Sequence, residues 1–107
     1  MFTQFLDEFA LCLKEERFYD AHEALEKIWF PKRFEDTNET KLLKGFINAS
    51  VSFELLKRGK IIQAKKVWRN YLKYRQLLHK VDSKYLNSYN SILRQIDTMN
   101  REFLTDE

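Results

Sequence analysis

Residues 38–58, NETKLLKGFINASVSFELLKR, decide the fold. Leu42, Leu43, Phe46, Ile47, Ala49, Val51, Phe53, Leu55 and Leu56 spread around nearly the whole circumference of an α-helix. A surface helix keeps one apolar stripe, whereas a helix that is apolar on most sides is enclosed by others. The stretch therefore predicts the central rod of an all-α domain. Asp36 or Thr37 precedes it as a cap, and Gly59 follows Lys57 and Arg58 as a stop with basic side chains in the last turn. Gly45 costs about 1 kcal/mol of helix propensity relative to Ala. Its place inside the rod predicts close approach by a neighbouring helix.

Four more helices are expected around this rod. The first covers residues 2–16, with Thr3 as cap and Phe5, Leu6, Phe9 and Leu13 on one face. The second covers residues 19–29 and stops before Pro31, which cannot donate to the helix and clashes with the preceding turn; residues 30–36 then form a loop. The fourth covers residues 61–79, with Ile61, Ala64, Val67, Trp68, Tyr71, Leu72 and Leu78 on its apolar side. The fifth covers residues 84–103 after Ser83, with Tyr85, Tyr89, Ile92, Ile96, Met99 and Phe103 at alternating spacings of four and three. Short connections favour antiparallel neighbours. The expectation is a compact bundle of about five antiparallel helices, with residues 1–107 as one domain and no internal repeat.

Composition agrees. Two Gly and one Pro are too few for the turns of an all-β fold, and 44% apolar with 15% aromatic residues is enough for a core. Cys12 is the only cysteine, so no internal disulfide can form, and it reads as a small core residue. The first residues hold neither a basic leader nor a long apolar run, so no signal peptide or membrane segment is expected, and a reducing cytoplasm is the simplest compartment. The net charge of +3 is unevenly spread. Residues 57–84 hold ten Lys or Arg against one acid, while residues 1–56 hold seven against eleven.

The second helix carries most of the chemistry. Phe18, Ala21, Leu25, Ile28 and Trp29 form its apolar stripe. His22 lies at the stripe's edge, Glu26 is one turn on, and Tyr19 and Glu23 flank them. An imidazole and a carboxylate four residues apart converge. They suit three roles: ligating a metal, acid–base work with His22 as base and Glu26 as orienter, or a purely structural hydrogen bond. The metalloprotease pattern His-Glu-x-x-His is absent, because Glu26 stands at its fifth position. In the central rod, Gly45, Asn48, Ala49 and Ser52 form a strip of small or amide residues. Asn48, flanked by apolar positions, is expected to be buried and to reach the His22/Glu26 rim, since a buried amide needs partners.

The run Phe18-Tyr19-Asp20-Ala21-His22-Glu23-Ala24-Leu25-Glu26-Lys27-Ile28-Trp29 resembles the signature of the domain of unknown function family 309, made of small prokaryotic helical proteins. That signature is an aromatic pair, acid-Ala-His-Glu, a gap, Leu-Glu, two residues and Trp. A second segment, Gly45-Phe46-Ile47-Asn48-Ala49-Ser50 with Gly59 beyond, resembles the family's Gly-Leu-Ile-Gln pattern. The likeness covers roughly residues 9–72. It departs at Asn48, where the family has Gln, and at Glu54-Leu55, where the family often has His. The resemblance implies a compact helical bundle and no particular activity.

The fourth helix adds a basic face. Lys66, Arg69, Lys73 and Lys80 recur at i, i+3, i+7 and i+14, with Lys65 alongside. Such a stripe is either a solvated helix face or a footprint for nucleic-acid phosphates or an acidic protein. His79, near the same helix end, suits the negative pole of the helix, and Trp29 and Trp68 read as core residues. There is no Gly-rich phosphate loop and no serine nucleophile elbow. Together these features support a small cytoplasmic binding or interaction module with a polar pocket at Tyr19, His22, Glu23, Glu26 and Asn48. One alternative is a small enzyme, metal-dependent or not, using His22 and Glu26. Another is a nucleic-acid accessory protein using the basic face. The cofactor and the substrate are undetermined by sequence, and self-association is left open.

Overall fold

The computed structural model describes residues 2–105, with side chains through residue 103. Five α-helices follow one another: α1 (Phe2–Lys14), α2 (Phe18–Trp29), α3 (Asn38–Lys57), α4 (Ile61–Arg75) and α5 (Leu86–Thr105). Short 3-10 turns at Phe30–Lys32 and Gln76–Lys80 continue α2 and α4. No strand occurs among the described residues.

The central rod is α3. Thr37, extended at φ −116°, accepts the Thr40 amide on its hydroxyl at 3.1 Å, so it and not Asp36 is the cap. Gly59, at φ +77°, ends the helix as expected. Ten of the twenty residues of α3 are buried. That leaves one outward stripe, on which Lys41 and Lys44 are exposed and Asn48 and Leu55 partly so. The buried side chains form one cluster to which all five helices contribute, with Phe9, Phe18, Phe46, Phe53, Tyr71 and Tyr89 as its bulkiest members.

Pair contacts give the directions. Across α3 and α4, Ser52 donates to the Ala64 carbonyl at 2.8 Å and a Cβ on Gly45 would lie 2.8 Å from Tyr74 Cβ, so the two run antiparallel. Phe18 meets Phe53, and Trp29 shares a cleft with Lys44, so α2 is antiparallel to α3. Phe2 stacks on Tyr85 at 4.1 Å, and Gln95 donates to the Ala10 carbonyl at 2.8 Å, so α5 runs parallel to α1. The up-and-down order follows from short connections that leave no room for crossovers.

Several boundaries differ from the sequence expectation. Helix α1 begins at Phe2, which puts Thr3 inside the first turn and not at the cap. It ends at Lys14 because Glu16 takes a left-handed φ of 58°, with the Arg17 amide returning to the Cys12 carbonyl at 2.8 Å. A non-glycine residue in that conformation is uncommon, and nothing in its identity announces the stop. Pro31 does not open a loop at once. It sits at the start of a 3-10 turn, where its missing amide is not needed. The fourth helix tightens into a 3-10 turn at Gln76 instead of continuing to His79. Ile61 and Leu72, assigned to its inner side, are 45% and 41% exposed. Helix α5 starts two residues later than expected, after Ser83 accepts the Tyr85 amide at 3.1 Å.

Candidate functional site

The inner face of α2 is anchored by buried Phe18, Ala21, Ala24, Leu25 and Ile28. That packing fixes which way the opposite edge points. His22 and Glu26 emerge there one turn apart, with His22 Nε2 2.9 Å from Glu26 Oε1. Their side chains are 25% and 38% exposed, so the pair is neither solvated freely nor sealed in the core. Glu23 joins them: one ligating atom from each of His22, Glu23 and Glu26 falls within 4.8 Å of the others. The Tyr19 ring lies 6.3 Å from the imidazole at an interplanar angle of 59°, and is itself 61% exposed. The i, i+4 register expected from sequence is thus present, with all four α2 residues on one rim.

Asn48 does not join them as expected. It stands on the one outward stripe of α3, only partly buried, and its amide donates to the Lys44 carbonyl at 2.8 Å within the same helix. No hydrogen bond links it to His22 or Glu26 among the described residues. The strip on which it was grouped faces another way. Gly45 and Ser52 meet α4, through Tyr74 and Ala64. The small residues therefore serve helix–helix approach, and the amide at the strip's edge bonds back to the preceding turn of its own helix.

The basic face of α4 is exposed at Lys65, Lys66, Arg69 and Lys73. Lys80 is a correction: it lies in the 3-10 turn after α4, which breaks the helical register that would have aligned it. It borders instead a small cleft shared with Glu39 and Asp82. His79 sits exposed in the same turn. Trp29 and Trp68 are partly buried against the core, and Cys12 is fully buried, which pushes its thiol pKa up and makes it a poor nucleophile.

Three groupings had no sequence signal strong enough to find them. Arg75 and Tyr71 on α4 both reach Asp97 on α5, with Tyr71 Oη 3.0 Å from Asp97 Oδ1. Burial, reinforced by Asp97, pushes the Tyr71 phenol well above the usual range. Tyr89 donates to Glu39 at 2.7 Å and is raised in the same way, chiefly by burial. Finally, Arg33 stacks on Phe30 and Phe34 beyond the end of α2. All three depend on side chains brought together from separate elements or from an aperiodic turn.

No helix among the described residues is long and apolar enough to cross a membrane. Comparison with curated proteins gave no match, and comparison with solved structures gave none either. A family model described as "Domain of unknown function (DUF309)" matches residues 6–67, which takes in most of α1, all of α2 and α3, and the first half of α4. With more than half of its length matched, and with the His22 rim inside the matched region, the chain belongs to that family.

Proposed function

We propose that this protein is a small binding module whose working surface is the His22 rim of α2, and that a divalent metal ion is the ligand its donors suit best. The observation that carries the reading is the convergence of His22, Glu23 and Glu26 within 4.8 Å on a rim open to solvent. One imidazole and two carboxylates are the donor types of zinc and related first-row ions, and three protein ligands leave a position open for water or a substrate. The helix beneath is rigid, so the donors need only rotate about their own side-chain bonds. Metal ligands of these types bind in their deprotonated forms, so binding weakens in acid. The module is proposed to work in the reducing cytoplasm, which suits its lone buried thiol.

A catalytic reading draws on the same 2.9 Å contact, because an imidazole held by a carboxylate is the arrangement of a general base and its orienter. It becomes the better reading only if an ion or small molecule is first shown to bind there.

Calorimetric titration with Zn2+ and Mn2+ separates binding from structure. The intact protein is expected to take up one ion, His22→Ala to weaken uptake at least about tenfold, and Glu26→Gln to weaken it similarly. Both variants should keep their melting temperature within a few degrees, since the pair is partly exposed and such i, i+4 contacts contribute only about 0.2–0.5 kcal/mol. Uptake that is absent, or unchanged by His22→Ala, rejects the metal. A loss of more than about 2 kcal/mol of stability in His22→Ala would make the pair a structural staple instead.

A further inference from the structure

The end of α2 and the turn beyond it present a surface that the His22 rim does not use. Phe34 is 87% exposed and Phe30 is 53% exposed. The Arg33 guanidinium lies 3.7 Å from the Phe30 ring centroid and 4.5 Å from that of Phe34, and its Nη1 donates to the Phe30 carbonyl at 2.6 Å. Trp29, Arg33, Phe34, Lys41, Lys44 and Tyr74 line a cleft of about 350 Å3 that starts at the Phe34 ring. Glu35 and Asp36 also border it, and Asp36 is neutralised by Lys41 at 2.8 Å, which lowers its carboxyl pKa. On the far wall the Tyr74 ring carries two cations, Lys44 at 5.9 Å and Lys73 at 5.4 Å. Beyond Tyr74, Lys73 leads from the cleft onto the basic face of α4, where Lys66 lies two turns back and Arg69 one. Lys66 and Arg69 have no ion pair among the described residues.

Aromatic rings and cations therefore alternate along one path, from Phe34 and Arg33 through Trp29, Lys44 and Tyr74 to Lys73 and Lys66. We propose that this path binds single-stranded nucleic acid. Unpaired bases offer flat faces that stack on exposed rings, while their phosphates need cations spaced along the strand. A duplex hides its base faces and could use only the lysines. An apolar protein partner would bury Phe34 but would strand the Arg33 guanidinium that lies over it. A polyanion with exposed bases satisfies both. The inference is independent of the metal reading, because it shares no residue with the His22 rim.

Fluorescence anisotropy with the full chain tests it, using fluorescein-labelled oligothymidylate and oligouridylate of about twelve nucleotides. Single strands are expected to bind, and affinity to fall roughly 50-fold between about 50 and 200 mM salt if four cations are neutralised. Phe34→Ala, at a position too exposed to matter for folding, should weaken binding about tenfold. Lys44→Glu and Lys73→Glu should each weaken it further and flatten the salt dependence. Four results overturn the proposal. They are no anisotropy change at the lower salt, a duplex of equal length binding as tightly, affinity untouched by Phe34→Ala, or self-association in sedimentation that Phe34→Ala abolishes. The last would give the rings to a second copy of the chain.

Discussion

At the scale of single residues, the clearest constraint is Gly45. Its missing side chain lets α4 approach until Tyr74 Cβ sits where a Cβ of residue 45 would reach within 2.8 Å. Both atoms are fixed to backbone, so neither can swing away as the tip of a long side chain could. Gly45→Ala should therefore destabilise the fold by about 1–2 kcal/mol, the overpacking penalty outweighing the better helix propensity of alanine. Urea denaturation reads this directly, and an unchanged midpoint would mean that the two helices can slide apart freely. The His22–Glu26 pair is the opposite case: neither partner is buried deeply, and little of the fold rests on it.

At the scale of helices, α3 was legible in advance because apolar residues on every side leave a helix no alternative to enclosure. The His22 rim was legible for a related reason. All its members lie on one helix, and helical register alone brings i and i+4 together. Asn48 was misread because an apolar neighbourhood in sequence does not say which flank of a buried helix remains open. The narrow outward stripe of α3 could be assigned only once α2 and α4 were in place. Phe30, Arg33 and Phe34 escaped notice because a turn has no period to read. Lys80 shows the same limit, since one change from α-helical to 3-10 winding shifts every later side chain. Tyr89 ties α5 to the start of α3 through Glu39. Tyr89→Phe should lose about 1–2 kcal/mol, and adding Glu39→Ala should cost little more than either change alone. Simple additivity of the two in denaturation experiments would show that the contact contributes nothing.

At the scale of the whole molecule, two buried phenols set a limit on alkaline stability. Burial holds both Tyr71 and Tyr89 protonated in the folded chain to well above the ordinary range. In the unfolded chain each phenol ionises near about pH 10. Folded pKa values above unfolded ones mean that stability is complete below that pH and falls as pH rises through it. Unfolding by urea should therefore need markedly less denaturant at about pH 11 than at about pH 9, and Tyr71→Phe should blunt the difference. A midpoint that does not move between those conditions would place the two hydroxyls in contact with solvent.

The odd number of helices among the described residues has a practical consequence for placing probes on this bundle. Because α5 runs in the same direction as α1, Phe2 packs beside Tyr85 while Phe103 packs beside Phe18 and Phe53 at the other pole. The long axis of the body is 37 Å. About eleven extended residues would run the full length of that axis, an upper measure for a direct tether between Phe2 and Phe103. Two labels attached at Thr3 and Glu102, both exposed, would report on separate poles of the particle.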